Sequence, residues 1–215
     1  EIEIFKSKKL MQDVVKQIGL ETEVYVKKGL ANVELYKTTS PILVKKINEK
    51  EVEKDILKNL KINIHLNGDV IELSGDELPT PIQSTFNKTI SLPNSNIIIQ
   101  KNPHYKVDKD GAIKELQLRI LNFENTINRF QEIIDAKLEK KEGTVIGLSL
   151  NYPNKTKAQD ILNRLVWAYN NDAIQDKNSE SEKTKNFIDE RIDIIAKELG
   201  EVENQKENFK ASNQI

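Results

Sequence analysis

The sequence contains no cysteine, only two histidines, one tryptophan and one methionine, and aromatic residues make up 6% of its 215 positions. Without cysteine there is no disulfide, no thiolate metal site and no cysteine nucleophile. The compartment stays open, because a disulfide-free chain folds on either side of a membrane. His65 and His104 have no second histidine or carboxylate at ligand spacing on the same element, so exposed strand and loop positions are the plainer reading and no metal site is expected. Neither sign of charge is in excess: 33 Lys+Arg stand against 34 Asp+Glu, for a net charge of -1. A chain without a basic patch has nothing to match a phosphate backbone, and nucleic acid is not expected as a partner.

Long hydrophobic runs are missing as well. Gly143 to Asn154 is as long as any stretch free of Asp, Glu, Lys and Arg that carries real apolar content, and it is short of the roughly 20 residues a spanning helix needs. The chain begins at Glu1 with no signal or transit peptide pattern, which reads as a piece of a longer protein. No Gly-x-x-x-x-Gly-Lys-Ser/Thr loop and no Gly-x-Ser-x-Gly elbow occurs, so no nucleotide, no cofactor and no catalytic residue are expected in this chain. Asp108-Lys109-Asp110-Gly111 resembles part of a calcium loop, but Lys106 and Gln117 fall where the first and last acidic ligands belong, and a plain turn explains it better. Asp69, Asp76 and Glu77 lie near turns, where carboxylates are usually solvated rather than paired for acid–base work.

What is present falls into two halves. Pro41, Pro79, Pro81, Pro93 and Pro103, with Gly19, Gly29, Gly68, Gly75 and Gly111, make the part before residue 112 turn-rich, and the rest reads as mostly helical. Leu10, Met11, Val14, Val15 and Ile18 recur at helical spacing between a Ser7 cap and a Gly19 stop. Thr22 to Val26 and Pro41 to Ile47 read as strands. Lys61 to Leu73 reads as a hairpin: Ile62, Ile64 and Leu66 alternate, Asn67-Gly68 suits a type I′ turn, and Val70, Ile71 and Leu73 follow. Pro79 to Asn94 reads as loop and Asn96 to Lys101 as strand. Asn122 to Ile134 reads as helix, and Lys137 to Leu150 as strand, turn around Gly143, and strand. The hairpin and the strand Thr144 to Leu150 are expected in one small mixed sheet packed by helices, an α+β domain over residues 1–152.

Beyond Pro153, placed at a first helical turn, Ala158, Ile161, Leu162, Leu165, Tyr169 and Ala173 share one face, giving a core helix over 153–176. Burying Ile161, Leu162 and Leu165 would contribute roughly 1.5–3 kcal/mol each. From Ser181 onward Ile188, Ile192, Ile195, Leu199 and Val202 step by four and three residues in turn, with Lys206 and Phe209 continuing the step. That alternation is the seam of a coiled coil, expected over 177–215 and needing a partner helix.

The run Ile161-Leu162-Asn163-Arg164-Leu165-Val166, then Tyr169-Asn170, Ser181, Thr184, Phe187-Ile188-Asp189-Glu190-Arg191, Glu198-Leu199, Val202-Glu203 and Phe209-Lys210 resembles the chain-length determinant family of polysaccharide co-polymerases. It looks most like the extracytoplasmic part of bacterial tyrosine autokinases of capsule and exopolysaccharide export. Glu3-Ile4-Phe5-Lys6-Ser7, Leu10 and Asp13-Val14-Val15 are similar to the segment after the first membrane span in that family. The middle of the chain, about residues 50 to 120, carries little of the likeness. The resemblance implies a membrane-proximal α/β domain that faces the periplasm from the bacterial inner membrane, between two spans outside this chain. It implies self-association into homo-oligomers, polysaccharide polymerase and export machinery as partners, glycan as a further one, and a kinase domain elsewhere in the parent. The other reading is a periplasmic adaptor or scaffold that docks onto an export channel without a role in chain length. An enzyme acting on the glycan would need a cleft with paired carboxylates.

Overall fold

The computed structural model describes residues 2–50, 59–107, 111–139 and 145–213. Its elements in chain order are α1 (Ile2–Phe5), α2 (Lys8–Ile18), β1 (Thr22–Lys28), β2 (Ala31–Leu35), β3 (Ile42–Glu49), β4 (Leu60–Asn67), β5 (Val70–Ser74), β6 (Ile82–Thr85), β7 (Thr89–Ser91), β8 (Ser95–Lys101), β9 (Glu115–Ile120), α3 (Phe123–Ile133), β10 (Ile134–Leu138), β11 (Ile146–Leu150) and α4 (Lys155–Asn213). The chain is an α+β protein with a multi-stranded antiparallel sheet and a long C-terminal helix. It divides into two compact units, Glu1–Tyr169 and Asn170–Ile215.

Local chemistry accounts for the helix ends. Ser7 caps α2 by accepting the Leu10 N–H, and Gly19 closes it in the left-handed conformation at φ 73°, its N–H returning to the Val15 carbonyl. Asn122 caps α3 through Asn125 N at 3.0 Å. Pro153 is not in a first helical turn. Asn154 is the cap of α4, with its side chain accepting from Lys157 N at 3.0 Å and its carbonyl from Ala158 N at 2.9 Å, so Pro153 stands just outside the helix.

The β4–β5 hairpin forms with Asn67 opposite Val70, which makes Gly68-Asp69 the central pair of the turn. Only Gly68 has positive φ there, 62°, and glycine at the first central position is the type II′ pattern, not the expected type I′. The β1–β2 hairpin repeats this with Gly29-Leu30 between Lys28 and Ala31, and Gly29 at φ 60°.

Strand order is β2-β1-β9-β4-β5-β6 in the main sheet, β3-β8-β7 in a second and β10-β11 in a third, with every paired neighbour antiparallel. The expected mixed sheet is therefore corrected, and so is the loop between Pro79 and Asn94, which contains β6 and β7. Most informative is β9, in a stretch given no element above. Its Leu116, Leu118 and Ile120 alternate with polar residues, and it pairs with both β1 and β4 at the centre of the sheet. The turn around Gly143 and the acidic run Asp108 to Asp110 lie outside the described residues.

Among the described residues of the first unit, two hydrophobic cores result. The inner faces of the six- and three-stranded sheets share one, with Ile62, Ile64, Ile71, Leu73, Leu118 and Ile97 among its fully buried members. The second gathers Leu10, Val14, Phe130, Ile134, Ile161 and Leu165 from α2, α3, β10 and the start of α4. The hairpin and Ile146–Leu150 thus lie in different sheets, and α4 packs with the second core instead of over the hairpin. The reason is that the large sheet buries its apolar face against another sheet, which leaves the helical stripes to bury one another.

Candidate functional site

The residues singled out along α4 have distinct environments. Ile161 and Leu165 are fully buried, whereas Leu162 is half-buried and outside the cluster. Tyr169 is half-buried, its ring stacked on Phe5 with centroids 4.4 Å apart. Ala158 and Ala168 fill the remaining inward positions of these turns. One turn along, Arg164 donates to Asp13 at 3.0 Å, so residues quoted above from the two ends of the sequence meet here. In the second unit, Ile188, Ile192, Ile195, Leu199 and Val202 are 49 to 59% exposed and form a one-sided row, with Phe187 and Ile194 exposed beside it.

His65 and His104 are exposed, and His65 Nδ1 is 4.0 Å from Glu115. Asp69 is exposed and held by Lys101, while Asp76 and Glu77 lie on the surface, so these three carboxylates are not brought together. Among the described residues no group of three His, Cys, Asp or Glu side chains could hold a metal ion, and no helix is long and apolar enough to cross a membrane. The outer face of the main sheet carries a shallow depression of about 410 Å³ between Lys27, Asn32, Asn63, His65, Glu115 and Gln117. Alternation alone accounts for its polar lining, since one face of an antiparallel sheet is commonly solvated.

Among the described residues, the densest polar constellation is one that no motif announces. The Glu23 side chain on β1 is 2% exposed, and that of Glu34 on β2 is 5% exposed. Arg129 of α3 donates to Glu23 at 2.9 Å, and Lys157 of α4, itself 3% exposed, forms an ion pair with Glu34. Tyr25 donates to Glu23 at 2.8 Å. The Tyr152 hydroxyl lies 3.4 Å from Glu23 and 3.3 Å from Glu34, with one proton for two carboxylates. Arg129 and Lys157 lie 5.8 and 5.6 Å from the centre of the Tyr152 ring, a cation–π arrangement. Asn154 adds its side-chain N–H to the Glu34 carbonyl at 3.3 Å. Burial first, and then the neighbouring carboxylates, push the Tyr152 hydroxyl far above the ordinary tyrosine range; the same order of causes raises Tyr25 through Glu23.

Chemically the two carboxylates are matched by two cations. Glu23, Glu34 and Lys157 are withdrawn from water while Arg129 stays partly exposed, and the carboxylates accept from Arg129, Lys157, Tyr25 and Tyr152. The carboxylates themselves have little surface, 2% exposed for Glu23 and 5% for Glu34. Sequence signals for the cluster are thin: Glu23 and Tyr25 share the polar side of β1, but nothing local marks Glu34, Tyr152 or Lys157 as their partners.

The fold and this cluster define an α+β protein whose last helix bears an exposed apolar row. No protein-family model matches the chain, and no curated protein matches it either.

Proposed function

We propose that the chain is a non-catalytic assembly domain of a bacterial polysaccharide co-polymerase, facing the periplasm from the inner membrane, in a parent protein of the tyrosine-autokinase type. Its role in that reading is to associate with further copies and with the polymerase and export machinery, and so to regulate how long a capsular or exopolysaccharide chain grows before release. The kinase activity belongs to a cytoplasmic domain of the parent, and glycan is a further partner.

The observation that carries the reading is the row Ile188, Ile192, Ile195, Leu199 and Val202. These are large apolar side chains at three-four spacing, about half exposed, on a 59-residue helix. An apolar stripe on an otherwise charged helix finds its stability in a partner helix, as in a coiled coil. The meeting of Asp13 with Arg164 and of Phe5 with Tyr169 also favours it, because the segments that resemble the family at the two ends of the sequence join in one core.

The test is made in the intact parent protein. Ile192→Asp with Ile195→Asp puts two carboxylates into the seam, which costs enough to break helix pairing if the seam is buried there. Altered polymer length at normal protein abundance is the expected result. Lost export with unchanged polymer length would favour the channel-docking adaptor instead. Normal assembly, length and export would make α4 a spacer and end the assembly reading.

A further inference from the structure

The buried cluster raises a question of its own, because a four-charge network is an expensive way to hold a helix. Two carboxylates and Lys157 lose their hydration, Arg129 keeps part of its own at 42% exposed, and the mutual attraction commonly does no more than offset such a loss. Three of them, Glu23, Glu34 and Lys157, are 2, 5 and 3% exposed, so the loss is nearly complete. The apolar contact beside them is generic. At the start of α4 the fully buried large side chains are Ile161 and Leu165, and Ala158 and Ala168 fill the other inward positions. Alanines leave shallow knobs, and apolar contact is non-directional, so this face alone would accept a helix slid or rotated from its observed setting.

We propose that the Glu23–Arg129 and Glu34–Lys157 network, bridged by Tyr152, is an alignment lock: it selects one setting of the Lys155–Tyr169 segment against β1, β2 and α3 and adds little net stability. Each member comes from a different place in the sequence. Glu23 and Arg129 are 106 residues apart, and Glu34 and Lys157 are 123 apart. A slide of α4 by one turn, about 5.4 Å, would strand Lys157 and Glu34 as unpaired buried charges, whereas Ile161 and Leu165 would still find apolar neighbours. Wrong settings are thus excluded by the charges. The surface pairs nearby, Lys37–Asp160 and Arg164–Asp13, are partly exposed and discriminate less. The inference stands apart from the assembly role and holds whatever α4 binds.

The experiment replaces the network with apolar side chains in the whole chain: Glu23→Leu, Glu34→Leu, Arg129→Met, Lys157→Met and Tyr152→Phe together. A second variant carries only Glu34→Leu and Lys157→Met and keeps the other ion pair. Cooperative unfolding is expected to persist in both, with the midpoint lowered by no more than about 5 °C. Amide exchange in β2 and in Lys155–Tyr169 is expected to speed up by about tenfold or more, and the amide resonances there to broaden or double. Three outcomes overturn the proposal. A larger fall in midpoint, or failure of both variants to fold, makes the network a source of stability. Unchanged exchange with a single sharp set of resonances means that the apolar contacts set the alignment.

Discussion

Leu165→Ala measures how far the first unit depends on α4. Leu165 is fully buried in the core that α2, α3 and β10 share with that helix. The substitution removes three carbon groups, worth about 0.8 kcal/mol each in transfer from water, or roughly 2.4 kcal/mol. The cavity left behind adds to this, and for leucine-to-alanine changes the total runs to about 2–5 kcal/mol. Set against a typical stability of about 5–15 kcal/mol, that is a large fraction. In a urea titration followed by circular dichroism the midpoint should fall by about 1 M or more, with the slope unchanged. Leu165→Met, which conserves volume, should cost less than about 1.5 kcal/mol. Val166→Ala, at an exposed position next to it, should stay within about 0.5 kcal/mol of the parent. Amide exchange adds location: protection in α2 and α3 should fall with Leu165→Ala. A midpoint equal to that of Val166→Ala would refute the reasoning, because Leu165 would then contribute nothing to the core.

Lys157→Met alone leaves Glu34 buried without its cation, so unfolding should become easier by about 3–5 kcal/mol in chemical denaturation; a loss below 1 kcal/mol would mean that water reaches the carboxylate. Tyr25, Tyr36 and Tyr152 all hold their protons to higher pH than a free tyrosine, chiefly through burial. Above about pH 10 the unfolded chain then binds fewer protons than the folded one, and stability falls as pH rises. Tyr152→Phe should reduce that slope by about one proton in alkaline titrations of unfolding, and an unchanged slope would contradict its burial beside two carboxylates. At Gly75 an added Cβ would sit 2.7 Å from the Lys61 carbonyl oxygen, so Gly75→Ala must shift backbone and should lower the melting temperature; an unaltered melt would show that the β4 and β5 backbones part freely.

What the sequence determined by itself is local. The Ser7 cap, the Gly19 stop, the β4–β5 hairpin and the helical periods of α2, α3 and the start of α4 depend on residues two to four positions apart, so a reading along the chain finds them. Even β9 carried its alternation in Leu116, Leu118 and Ile120. The exposed row from Ile188 to Val202 is likewise written in the spacing of its residues. Tertiary structure decided which strands pair, since the place of β9 between β1 and β4 follows from backbone hydrogen bonds that any strand can make. It also decided that the large sheet is backed by a second sheet and that α4 begins in a separate core. Above all it decided the cluster around Tyr152. Glu23, Glu34 and Lys157 are ordinary charged residues until pairing over more than a hundred residues, with the partly exposed Arg129 as the fourth member, removes them from water, and it is that burial, absent from any local pattern, that makes each of them depend on its partners.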